Sequence, residues 1–148
     1  MRRAGFTIIE LLIVVTIIGI IATVALPKFR QMRRHAMATQ LIGDFDVVRH
    51  AAMSFYADSG YFPDADDEPV PRNLLPYLPN GFSMVKAEWE MQYVVWPVPP
   101  GVQFANNGAT VGVTFTTSDP ALGMTAMRLS QSRPGFMLGT DYTFLVAF

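Results

Sequence analysis

The chain has no cysteine. Disulfides and thiolate metal sites are therefore excluded, and any domain it forms is held by packing alone. Charge is scarce too: 16% of its 148 residues are charged, 51% are hydrophobic, and the net charge is −1. No serine sits in a nucleophile elbow, and no glycine-rich loop precedes a helix. The two histidines, His35 and His50, have no carboxylate constellation around them and read as solvated helix surface. Residues 61–148 carry four Arg/Lys against eight Asp/Glu, so that half is mildly acidic and is not a nucleic-acid surface. Nothing in this inventory points to an enzyme.

The hydrophobic excess is concentrated. Residues 6–26 read FTIIELLIVVTIIGIIATVAL. At the helical rise these residues cover about 31 Å, the thickness of a bilayer's hydrocarbon core. A secretory signal would have a shorter apolar core followed by a small-residue cleavage site, and here the helical pattern continues instead. The direct reading is a spanning helix. Lys28, Arg30, Arg33 and Arg34 follow the span, against Arg2 and Arg3 before it. Charge counting alone thus leans toward a cytosolic C-terminus. These four with His35 read first as an interfacial anchor whose side chains snorkel to lipid phosphates, and second as a partner for acidic loops of adjacent chains.

Glu10 is the one charge inside the span. A carboxylate deep in a bilayer costs about 2.5–3.5 kcal/mol on insertion scales. Either it lies near an interface, hydrated and favoured by the helix N-terminus, or a cation from another chain meets it when helices pack.

The run Gly5-Phe6-Thr7-Ile8-Ile9-Glu10-Leu11 closely resembles the processing motif of type IV prepilins and type II secretion pseudopilins. In that family a short basic leader ends in glycine, then come phenylalanine, threonine, two apolar residues and glutamate before a long apolar helix. Pro27 matches a position where many such pilins carry proline. The resemblance covers about the first thirty residues. It implies cleavage by a membrane prepilin peptidase between Gly5 and Phe6, N-methylation of Phe6, and a C-terminal domain outside the cytosol. That orientation overrides the charge count.

What the resemblance implies is physically coherent. Cleavage would turn the Phe6 nitrogen into an amine that ionises around pH 8, and so is cationic at neutral pH. In a low-dielectric helix bundle, such an ammonium and the Glu10 carboxylate of a neighbour gain strongly from pairing. An uncleaved leader would instead place Arg2 and Arg3 at the packing site.

Beyond the span, Phe29, Met32, Ala36, Leu41, Phe45, Val48, Ala52 and Phe55 recur at helical steps, so the helix is expected to reach about Ser59 and to stop at Gly60. Pro27 should bend or break it locally. A proline-rich loop over 63–81 follows, with one short turn at Asn73–Tyr77. Alternation over Val85, Ala87, Trp89, Met91, Tyr93 and Val95 predicts a half-buried strand with Trp89 and Trp96 on opposite faces. Strands are also expected at Val102–Ala105 and Thr110–Thr116, joined by a turn at Asn106-Asn107-Gly108. A short helix should start at Asp119-Pro120, and a last strand should cover Tyr142–Phe148. The expected fold is α+β: a leader (1–5), a membrane and polymerisation half-helix (6–26), an amphipathic half-helix (27–59), and a globular domain (60–148) whose antiparallel sheet covers the helix.

No cofactor is expected. The acidic run Asp64, Asp66, Asp67 and Glu68 is the one candidate for Ca²⁺, through hard oxygen ligands, but it lacks EF-hand spacing and reads first as a solvated loop. The nine methionines read as core filling. The functional expectation is a structural subunit of a type IV pilus-like filament, with a minor pilin or pseudopilin favoured because many major pilins pin a C-terminal loop by a disulfide. The alternatives are a major pilin, or a membrane-anchored extracytoplasmic binding module that does not polymerise. Expected partners are the peptidase, other pilin or pseudopilin subunits, an inner-membrane assembly platform, and membrane lipid before assembly. Residence is expected first in the cytoplasmic membrane as a single-pass protein, then in an extracytoplasmic filament.

Overall fold

The computed structural model describes residues 6–97 and 109–147. The leader with Gly5, the expected strand at Val102–Ala105 and turn at Asn106–Gly108, and Phe148 lie outside the described residues. One helix, α1 (Ile8–Ser59), opens the chain. A 3-10 turn at Arg72–Tyr77 follows, then β1 (Glu90–Pro97), β2 (Ala109–Thr116), α2 (Pro120–Leu129), β3 (Gly135–Leu138) and β4 (Asp141–Ala147). The strands form one antiparallel sheet in the order β1-β2-β4-β3. The α+β architecture expected from the sequence is what the chain adopts. Its contacts divide it into two compact units, residues 1–34 and 35–148.

In the first unit every large apolar side chain from Phe6 to Met32 is exposed, Ile8 to 87% and Val24 to 72%. The helix has nothing to bury these residues against within its own unit. Thr16 and Thr23 turn their hydroxyls back onto the carbonyls of Leu12 and Ile20, which hides those polar groups from an apolar surrounding. At Pro27, where a bend or local loosening is expected, α1 continues as one helix. Proline lacks one N–H, so the helix forgoes only the bond to the Thr23 carbonyl, a loss that long helical stretches on both sides can bridge.

In the second unit α1 buries Ala38, Leu41, Phe45, Val48, Ala51, Ala52 and Phe55, a stripe at three- and four-residue steps. The stripe begins later than the periodicity suggested: Phe29 and Met32 are 68% and 61% exposed, and Ala36 is exposed as well. Facing the buried stripe is one side of the sheet, with Met91 and Tyr93 from β1, Val111, Val113 and Phe115 from β2, and Tyr142, Phe144 and Val146 from β4. Phe45 and Phe144 meet at a tilt of 56° with 5.1 Å between ring centroids. The helix ends where expected, with Gly60 at φ 81° donating its N–H to the Tyr56 carbonyl at 2.8 Å.

Two sequence readings are corrected. The strand expected from Val85 starts at Glu90, with Val85 bridging only to Glu90. The segment before it folds back on itself: Lys86 N–H meets the Trp89 carbonyl, and Met91 N–H meets the Met84 carbonyl. This turn leaves Val85 and Ala87 exposed and puts Met84 inside. Trp89 is buried, while Trp96, on the opposite face, reaches Phe136 of β3 at 5.7 Å. The second correction is β3 itself, which was not expected. Its four residues are all exposed, so they carry no alternation to read.

The second helix is capped by Asp119, whose carboxylate accepts the Ala121 N–H at 2.9 Å, with Pro120 at the first helical position. It lies close on the sheet because Gly123 has no side chain: a Cβ there would come within 2.3 Å of the Tyr142 ring. That ring is stacked on Phe115 at 5.0 Å and is hemmed in. Gly123→Ala should therefore lower stability by about 1–3 kcal/mol, although alanine is the better helix former. Denaturant unfolding of the full chain in detergent checks the sign.

Tyr93 donates its buried hydroxyl to the Pro63 carbonyl at 3.1 Å, pinning the start of the proline-rich loop. Burial, with a smaller contribution from the Asp64 charge, pushes its ionisation well above the usual tyrosine value of 10.0. The folded state thus keeps its proton where the unfolded chain would release it. The stabilisation is complete below about pH 10 and drains away as pH rises beyond that value. Tyr93→Phe should cost about 1–2 kcal/mol at pH 7 by orphaning the Pro63 carbonyl. Its deficit against wild type should shrink in alkaline melts above pH 10.

Candidate assembly site at the helix head

The helix head is built around Thr7. Thr7 precedes the first helical residue, and Glu10 is the third within the helix, the threonine-x-x-glutamate spacing of a capping box. The bonds are reciprocal. Thr7 N–H and hydroxyl both donate to Glu10 Oε2, at 2.9 and 2.8 Å, and Glu10 N–H donates to Thr7 Oγ1 at 3.2 Å. The first intrahelical bond runs from Leu11 N–H to the Thr7 carbonyl at 3.3 Å. Donors that would otherwise be orphaned at the helix start are thereby used to hold the one carboxylate of the apolar segment.

Phe6, 79% exposed, is the residue just before the cap, and the Glu10 carboxylate is held against the N–H of the next residue, Thr7. Gly5 lies outside the described residues. A carboxylate offers about four lone-pair positions, so two bonds from Thr7 leave capacity for a further cation. The Thr7 cap on Glu10 is a contact that the sequence reading missed; its capping-box spacing was the available signal.

The other candidates are dispersed. His35 and His50 are exposed on α1, and His50 Nδ1 lies 2.6 Å from the Asp46 carbonyl oxygen. In the acidic run, Asp66 accepts backbone N–H groups from Glu68 and Arg72 at 3.0 and 3.2 Å, so its carboxylate shapes the loop. Among the described residues no three acidic or histidine side chains gather as a metal would need. Asp44, Asp46 and Asp58 of α1 tether the domain: Lys86 pairs with Asp44, Arg133 holds Asp46 through Nε and Nη2 at 3.2 and 2.7 Å, and Tyr77 donates to Asp58 at 2.9 Å. The bond to Asp58 raises the ionisation of Tyr77. These contacts position loops and bring no reactive groups together.

Among the described residues one helix is long and apolar enough to cross a membrane, and it carries this capped acid at its head. That arrangement, with a small sheet packed on the later half of the same helix, defines an α+β chain led by a long, uncovered apolar helix. Residues 1–26 match the family pattern described as the prokaryotic N-terminal methylation motif. The chain is similar to the type IV major pilin protein PilA of Myxococcus xanthus (strain DK1622), 34% identical over 67 residues, 45% of this chain and 30% of that protein. It is 37% identical over 62 residues to the type IV major pilin PilE1 of Neisseria gonorrhoeae, 42% of this chain and 29% of that one. With a fimbrial protein of Pseudomonas aeruginosa it shares 40% identity over 52 residues, 35% of this chain and 34% of the relative. The chain spans about a third of the length of the curated relatives it matches. No solved structure matches it. The similarity to type IV pilins thus lies in the N-terminal part of the chain, where the methylation motif is matched.

Proposed function

We propose that the chain is a structural, non-enzymatic subunit of a type IV pilus-like filament, cut by a prepilin peptidase between Gly5 and Phe6 and methylated on the new Phe6 amine. The observation that carries this reading is an uncovered membrane-length helix, headed by a single carboxylate, within a matched methylation motif. Before assembly the helix resides in the cytoplasmic membrane as a single pass, with the domain outside the cytosol. In the filament, the apolar sides of neighbouring helices cover one another, which supplies most of the adhesion. The Glu10 carboxylate then meets the Phe6 ammonium of a neighbour, which sets the axial register. An inner-membrane assembly platform would lift the subunit from lipid into the growing fibre.

Two observations bear on the kind of subunit. Two of the three relatives named above, those of Myxococcus xanthus and Neisseria gonorrhoeae, are major pilins. The absence of cysteine favours a minor pilin or pseudopilin, because no disulfide can fasten a C-terminal loop. Mass spectrometry of purified fibres tests both points. The subunit should begin at N-methylated Phe6, and its stoichiometry should separate a shaft subunit from a minor one. Fibres whose subunits retain residues 1–5 would overturn the processing and register scheme.

A further inference from the structure

We propose that Lys28, Arg30, Arg33 and Arg34 form a collar that binds the headgroups of anionic phospholipids where α1 leaves the bilayer. This rests on the reading of residues 6–26 as a membrane span, and it names the ligand that the exit of that span would take.

The collar lies where headgroups would be. From Ile8 to Leu26 the helix rises about 28 Å, so with Phe6 at one interface, Lys28 and Arg30 come level with the other. Lys28, Arg30 and Arg33 are exposed and Arg34 is half-buried. Arg33 and Arg34 each also engage a further group. One surface of α1 is lined by Ala22, Thr23, Leu26, Pro27, Arg30 and Arg34, apolar toward the span and doubly cationic beyond it. An acyl chain and its phosphate present those two chemistries in the same order.

The charge of this stretch is complementary to an anionic headgroup. Along the chain no acidic residue occurs between Glu10 and Asp44, so the collar sits in a stretch of pure positive charge. Guanidinium groups take phosphate oxygens bidentately, and a lysine adds a point charge. Anionic lipid attracts such residues by about five-fold in affinity per cation near the surface, an attraction screened within a Debye length.

The experiment uses the full chain reconstituted in phosphatidylcholine vesicles, with spin-labelled phosphatidylglycerol or phosphatidylcholine as the probe. Wild type should hold the phosphatidylglycerol probe at least about five-fold more strongly than the phosphatidylcholine probe. That preference should fall in 1 M salt and vanish in Lys28→Gln/Arg30→Gln/Arg33→Gln/Arg34→Gln. Equal retention of the two probes by wild type, or an undiminished preference in the quadruple variant, overturns the proposal. So does a collar whose neutralisation blocks fibre formation and is compensated by reversing charge at Asp64, Asp66, Asp67 and Glu68 while wild type shows no lipid preference, since its partner is then a neighbouring chain. These outcomes are separable from the filament reading, which is judged by the amino terminus found in fibres.

Discussion

Glu10→Ala should yield a subunit that folds and inserts normally and yet is missing from filaments. The C-terminal domain has no stake in this residue, since its core begins at Ala38. Circular dichroism and melting of the variant in detergent should therefore match wild type. Membrane insertion should if anything become easier, because the one charge of the span is gone. What disappears is the acceptor for a neighbour's amine. In a helix bundle from which water is excluded, the Phe6 ammonium would then be left buried and unpaired, and breaking a buried pair by removing one partner is far costlier than never having made it. Assembly should fall by orders of magnitude, read as fibres sheared from cells or as co-purification of wild-type with variant subunits. Glu10→Gln is the sharper companion. It keeps an oxygen for the Thr7 cap but no charge for the amine, so it should retain the helix head while still failing to assemble. Fibres of ordinary yield from either variant would sink the register scheme and favour an anchored module that does not polymerise.

The second large effect is expected at the other end of α1. Phe45 is fully buried, and its ring meets Phe144 at 5.1 Å in the middle of the sheet. Phe45→Ala should cost about 3–5 kcal/mol, the transfer of an aromatic ring plus the cavity it leaves. With no cysteine and hence no disulfide to hold the chain, a small domain with typical stability has little to spare. Protease resistance of residues 35–148 should collapse, whereas the spanning segment should still partition into membrane. Phe45→Leu should recover most of the loss. A variant as protease-resistant as wild type would mean that the contact between helix and sheet contributes little to the domain's cohesion.

These two residues mark the two ways in which the chain is legible. The first thirty residues are local in character: their apolar run has a length that can be counted directly, and the interval from Thr7 to Glu10, which the sequence reading passed over, lets a side chain reach back to its own backbone. The α1 stop at Gly60 and the Asp119-Pro120 start of α2 are equally local, set by conformations that glycine and proline favour. β1 was only half legible. Its alternation is real at Trp89, Met91 and Tyr93, but it runs backward into a turn that brings Met84 and Met91 to the same interior.

What sequence alone determined is the membrane-length helix, the acid at its head and the α+β plan, since each follows from local periodicity and from side chains meeting their near neighbours. Tertiary structure decided which part of α1 is covered, that an unpatterned edge strand β3 closes the sheet beside β4, and that Gly123 must stay bare beneath Tyr142. Those outcomes depend on segments distant along the chain competing for the same surface. No local pattern encodes that competition, and only the packed structure resolves it.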